Sequence, residues 1–200
     1  PKFTKPRVFW GNSNRFHEAV STSNPAGNIV YYTKGSSFRR RPLPDEDNIV
    51  RLQIMSRTKD AKGHWSKAVP FAYNNEEYSY GHPSLSQDAS ALYFASDCPG
   101  GIGGIDLYVC YWENDHWGKP KNLGAEVNTE GDEMFPTIAA DGILYFASNG
   151  HAGLGGLDIY SARKIWDQWT FVQNLGGGIN SSLDDFGLIT QDGMTGYFCS

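Results

Sequence analysis

The chain has 200 residues, of which 40% are hydrophobic, 14% aromatic and 20% charged, with a formal net charge of −5. So many rings exclude a solvated coil, and the acidic balance speaks against a nucleic-acid partner. No apolar run approaches the roughly 20 residues of a membrane helix, so this segment is not expected to insert into a membrane.

In chain order, the elements recur as copies of one unit. Residues 1–14 hold an outer strand, Pro6 to Phe9, because Lys5-Pro6 and Asn14 can be laid on Lys119-Pro120 and Asn128. Residues 15–75 form a loose first copy, with the strand Ile29-Val30-Tyr31-Tyr32, an insertion from Ser36 to Asp47, and Trp65. The insertion carries Arg39-Arg40-Arg41 and then Asp45-Glu46-Asp47. That mixture reads as a solvated loop and not as a phosphate grip. Insertions in a repeat array map to surface loops, so Arg39, Arg40, Arg41, Asp45 and Glu46 are the candidate partner-binding residues.

Residues 76–127 and 128–179 are close copies at a shift of 52. Leu92–Ser96 matches Leu144–Ser148, Gly103–Tyr108 matches Gly155–Tyr160, and Trp117 matches Trp169. Asn122-Leu123-Gly124 and Asn128 fall on Asn174-Leu175-Gly176 and Asn180. Residues 180–200 start a further copy, with the turn Asp192-Gly193 and the pair Tyr197-Phe198.

The unit's contents set the fold class. In the copy over 128–179, Phe135–Ile138 is followed by Asp141-Gly142, a hairpin turn signal. The β-prone runs Ile143–Ala147, Leu157–Ala162 and Trp169–Val172 follow, parted by a Gly-rich loop and a turn. Four short antiparallel strands repeated with no helical periodicity predict an all-β chain, a single β-propeller domain of four-stranded blades. It reads as a partial ring, either a segment of a longer propeller or one closed by another part of its native chain.

The repeated residues read as scaffold. Asp106 and Asp158 are expected to accept hydrogen bonds from loop amides, with glycines supplying the turn. A calcium site there would need more oxygens than the loops supply, and Arg51 stands where the first copy would carry the aspartate. Trp65, Trp117 and Trp169 are expected to pack between blades in preference to stacking on carbohydrate. Asp132, Glu133, Asp184 and Asp185 precede the first strands of their blades. They could form part of an acidic ring at a channel mouth, attracting a cation such as calcium or a basic peptide. Ser79-Tyr80 takes that place in the earlier copy, so such a ring is incomplete. His17 and His82 fall where later copies carry Phe135 and Phe186, a packing slot. The thiols of Cys98, Cys110 and Cys199 cannot all pair and have no metal-ligand spacing. There is no nucleophile elbow and no phosphate loop, so no catalytic residue and no metal ligand is assigned.

Pro136-x-Ile138-x-x-Asp141-Gly142-x-Leu144-Tyr145-Phe146-Ala147-Ser148, followed by Gly155-Gly156-Leu157-Asp158-Ile159-Tyr160, Trp169 and Asn174-Leu175-Gly176, resembles the WD40-like propeller repeat of the TolB type. It is most similar to blades in OmpA-family peptidoglycan-associated proteins of Bacteroidetes, including the PorE-like component of the type IX secretion system. The likeness is close over 76–200 and looser over 15–75. It implies a non-enzymatic scaffold in the periplasm, associated with the outer membrane and binding protein partners of the cell envelope. Peptidoglycan would be reached only through a domain absent from this segment. The alternatives are a propeller-fold hydrolase acting on glycans and a calcium-stabilised, peptide-binding propeller.

Overall fold

A computed structural model describes residues 18–38, 41, 42, 44, 48–190 and 192–200. The outer strand expected over 1–14, His17, and the candidates Arg39, Arg40, Asp45 and Glu46 lie outside the described residues, as does the side chain of Arg41. Among the described residues every regular element is a strand.

The first sheet contains β1 (Glu18–Ser23) and β2 (Ile29–Gly35). A minimal hairpin inside the insertion, β3 (Ser37–Phe38) and β4 (Arg41–Pro42), separates these from β5 (Leu52–Thr58) and β6 (Val69–Pro70). The order is β1-β2-β5-β6. The second sheet holds β7 (Tyr80–Leu85), β8 (Ala91–Ser96), β9 (Asp106–Glu113), β10 (His116–Trp117) and β11 (Lys121–Asn122). The third runs β12 (Glu133–Ile138), β13 (Leu144–Ser148), β14 (Asp158–Ile165), β15 (Gln168–Asn174) in that order. A two-stranded sheet, β16 (Phe186–Thr190) and β17 (Gly196–Cys199), ends the chain.

Each sheet is a meander, and the sheets are joined through their first strands. β1 lies against β7, β7 against β12 and β12 against β16. Side chains stitch these neighbours: the Leu85 N–H donates to Thr22 Oγ1 (3.0 Å), Ile138 N–H to Ser84 Oγ (3.0 Å), and Thr137 Oγ1 to the Leu188 carbonyl (2.7 Å). First strands side by side with later strands outward is radial repetition. The chain is an arc of a β-propeller.

Position in the arc explains the sequence of each strand. β8 and β13 are second strands with a blade on either side, so both faces are covered and all their residues are buried. That is why Ala-Leu-Tyr-Phe-Ala-Ser is a continuous apolar run without alternation. The fourth strand expected over each copy is unbroken in the third blade alone. In the second blade β10 and β11 are separated by Gly118-Lys119-Pro120, since Pro120 has no N–H to continue the ladder.

Every first strand carries one bulge. Register shifts fall between Ala19 and Ser21, Gly81 and Ser84, Met134 and Thr137, and Phe186 and Ile189. Val20, His82, Phe135 and Gly187 sit at these bulges with φ of +38°, +52°, +53° and +68°. The slot therefore runs through Phe135 to Gly187, 52 residues on, and Phe186 lies one residue before it, in the place of Met134.

Two of the three repeated indoles, Trp117 and Trp169, cross seams as expected, whereas Trp65 packs within its own blade. Trp117 meets Tyr31 of the preceding blade edge-on, ring centroids 5.9 Å apart, and its Nε1–H donates to the Tyr31 hydroxyl at 3.1 Å. Trp169 meets Tyr93 in the same way at 6.1 Å. Trp65 is half-buried and packs on Val30, Tyr32 and Met55 of its own blade, with the Lys59 ammonium 5.5 Å above the ring. Trp117→Ala is expected to lower stability by about 3–5 kcal/mol, through lost burial and an unfilled seam. Trp117→Phe, which loses the N–H but keeps a ring, should cost less; urea denaturation of the two variants checks the order.

Candidate functional site

The repeated Gly-Gly-x-Asp loops are held by converging hydrogen bonds. The Asp106 side chain, 1% exposed, accepts from the N–H groups of Ile102 and Gly103 (3.2 Å) and from Asn122 Nδ2 (2.9 Å). Asp158, fully buried, accepts from Leu154, Gly155 (3.4 Å) and Asn174 Nδ2 (3.2 Å). Each carboxylate folds its own loop, as a charge-assisted acceptor for converging donors.

The loops then dock on the next blade. Gly104 N–H donates to the Gly131 carbonyl (2.9 Å) and Gly156 N–H to the Leu183 carbonyl (3.3 Å). A Cβ on Gly103 would strike the backbone of Thr129, Glu130 and Gly131, and one on Gly155 the carbonyls of Leu183 and Ser181. These glycines are required by close approach between blades, and not by a positive φ.

The acid pairs do two different jobs. Asp132 Oδ1 accepts from Ile105 N–H (2.9 Å) and Asp184 Oδ1 from Leu157 N–H (2.8 Å), each in the preceding blade. Glu133 is fully buried and accepts from Thr129 N–H (2.8 Å), Thr129 Oγ1 (2.7 Å) and Ser148 Oγ (2.6 Å). Asp185 is equally buried and accepts from Ser181 N–H at 2.6 Å; hydrogen bonding led by Ser200 holds its carboxyl below the usual range. Adjacent residues entering a strand point to opposite sides, so one acid turns to the neighbouring loop and the other into its own blade.

Arg51, which replaces the aspartate in the first blade, crosses the seam. Its Nη1 lies 2.9 Å from Asp97 Oδ2, while Asp97 Oδ1 accepts from Ser79 N–H at 2.6 Å. An ion pair between blades stands in for the missing carboxylate.

The repeat alignment singles out Asn128 and Asn180 and passes over Asn74; the structure gives all three one task. Asn128 Oδ1 accepts from Leu107 N–H (2.8 Å) and its Nδ2 donates to the Leu107 carbonyl (3.0 Å). Asn180 does the same to Ile159 (2.8 and 2.9 Å), and Asn74 to Ile54 (3.0 and 2.8 Å). The signal was present in the repeated Asn-Leu-Gly-x-x-x-Asn spacing, but the first copy lacks that spelling.

Among the described residues no three His, Cys, Asp or Glu side chains converge as a metal site. The loop carboxylates offer a lone acid already bonded to amides, which does not fit a calcium ion's six to eight oxygens. Along the first strands, the His82 ring stacks on Phe135, centroids 3.9 Å apart and planes 15° apart. Phe135 in turn meets Phe186 at 4.9 Å. Burial lowers the His82 pKa from 6.5 to about 4.

No protein-family model and no curated protein matches the sequence. Similar solved structures include TolB from Acinetobacter baumannii, with 17% identity and a TM-score of 0.49 over 82% of this chain and 33% of that one. A puromycin-hydrolyzing peptidase of Mycobacterium tuberculosis shows 14% identity and a TM-score of 0.49 over 92% and 35%. A prolyl endopeptidase shows 13% and 0.47 over 80% and 22%. The chain thus spans 22% to 35% of the length of these structures.

Gly103→Ala should destabilise by about 2–3 kcal/mol, because backbone on both sides must shift. Gly178→Ala, which meets nothing within 4 Å, should stay within about 0.5 kcal/mol of the parent or gain stability. Thermal melts of the two variants test this contrast. Between pH 6.5 and about 4 the unfolded chain binds a proton that the folded His82 refuses, so stability falls as pH falls through that window. His82→Phe is expected to remove up to about 3 kcal/mol of that loss, measured as unfolding free energy against pH.

Proposed function

We propose that this propeller segment is a non-enzymatic protein-interaction scaffold of the bacterial cell envelope, periplasmic and associated with the outer membrane. The observation that carries the reading is the employment of its acids. Asp106, Asp132, Glu133, Asp158, Asp184 and Asp185 all accept hydrogen bonds from backbone N–H groups in loops and seams. The motif likeness to OmpA-family propellers adds the compartment and the link to type IX secretion. It also points to envelope proteins as partners, bound through the propeller face or the insertion over 36–47. Nothing in the placement of Glu133 or Asp185 favours a glycan-cleaving role, which needs a carboxyl pair open to one sugar.

The test uses the purified chain and a variant lacking 36–47 as baits on envelope and cytosolic fractions of a Bacteroidetes cell. An envelope protein retained by the parent and lost from the variant is expected, with no cleavage of peptidoglycan or peptides by the bait. Equal retention by both baits removes the insertion from the contact. Cleavage abolished by substituting Glu133 or Asp185 would sink the scaffold reading.

A further inference from the structure

We propose that the seam between the second and third blades binds a small aromatic acid, its ring beside Trp169 and its carboxylate on Lys121 and Lys164. The site goes beyond the scaffold reading and does not rest on it. Both sheets that frame this seam carry their outer strands, β10 and β11 on one side and β15 on the other.

The first two seams differ in what surrounds the indole. In the first, Trp112 pairs with Trp117 across the ladder and meets it edge-on, centroids 5.1 Å apart. From the connection after β6, the Tyr73 hydroxyl donates to the Trp117 carbonyl at 3.2 Å, and the Tyr73 ring meets Phe71 at 5.5 Å. At a shift of 52, Lys164 stands for Trp112 and pairs with Trp169, and Ala125 stands for Tyr73. Two rings are exchanged for a flexible stem and a methyl group. The second seam holds a cavity of about 810 Å³ between Ala125, Lys164 and Trp169. Small-molecule sites have volumes of roughly 300–1,000 Å³.

The lining states the ligand's chemistry. Tyr111, Leu123 and Trp169 offer apolar surface that a planar ring covers. The Lys164 ammonium donates to the Tyr111 hydroxyl (3.0 Å) and to Asp167 Oδ1 (2.8 Å), which uses two of its three N–H groups. Burial works against that charge, but the bonds to Asp167 and Tyr111 outweigh it and raise the Lys164 pKa to about 12. The Lys121 ammonium lies 5.3 Å from the centre of the Tyr111 ring and makes no ion pair among the described residues. Glu126 also lines the cavity, but it is exposed and pairs with neither lysine. Asp167 therefore offsets one cation, and Lys121 is left for an anion that the third N–H of Lys164 can share.

The probe is indoleacetate, titrated into the isotope-labelled 200-residue protein and followed by amide NMR shifts. Saturable shifts confined to this seam are expected, with a Kd of about 1 mM or tighter. Tryptophol, which keeps the ring without the charge, should bind at least about tenfold more weakly, as should indoleacetate to Lys121→Met. Ala125→Trp brings a ring into the cavity from an exposed position; it should abolish binding while keeping the parent's melting curve. Any of four results would overturn the proposal: no saturable shift with indoleacetate, equal binding of tryptophol, binding unchanged by Lys121→Met, or binding undiminished in Ala125→Trp.

Discussion

One requirement governs the rest of the molecule: the third strand of each blade is buried, and its peptide groups must still be paired. Ile54, Leu107 and Ile159 are fully buried, and in two blades the fourth strand beside them is only a stub. An unpaired peptide group in that position would cost as much as a lost hydrogen bond. Asn74, Asn128 and Asn180 supply the pairing from a side chain, a carbonyl to the N–H and an NH2 to the C=O. Only a primary amide carries both functions at that spacing; an aspartate would turn an acceptor toward a carbonyl. Each asparagine lies on the connection into the next blade, so closing one sheet and aiming the following one are a single event.

The acids follow from the same geometry. Once the asparagine has fixed the connection, the loop between second and third strands is pressed against it, and its amides need acceptors. Asp106 and Asp158 serve from below, Asp132 and Asp184 from the neighbouring blade. Charge in these loops therefore tracks the demand of buried N–H groups, and the acidic balance of the chain does not by itself mark a ligand site. Arg51 and Asp97 show that the demand belongs to the seam, since a different pair meets it where the aspartate is absent.

Much of this was legible in the sequence because the unit repeats at one fixed spacing. The blades, the Asp-Gly turns and the indole positions come directly from laying residues 76–127 on 128–179. Two features escaped for physical reasons. A bulge leaves no signature in composition, so likeness of side chain pairs Phe186 with Phe135, although the 52-residue shift puts Gly187 in that slot. The acid pairs were read as one feature because adjacent acids look alike in a string. The strand separates them, and the polar partners of buried Glu133 are Thr129, 4 residues before it, and Ser148, 15 residues after it, a meeting that packing decides. The asparagine clamp was half visible: the spacing was noticed, but a turn and a strand mimic ask for the same residue type.

The bulges have a further consequence. A side chain with a Cβ held at positive φ resists that conformation by roughly 1–2 kcal/mol. Gly187 meets the geometry freely, whereas Val20, His82 and Phe135 hold it with side chains attached. The first strands are thus a region where this fold works against local backbone preference, and it does so in three successive blades. Replacing His82 or Phe135 by glycine would relax the backbone at its bulge and at the same time remove a ring from the stack along the first strands.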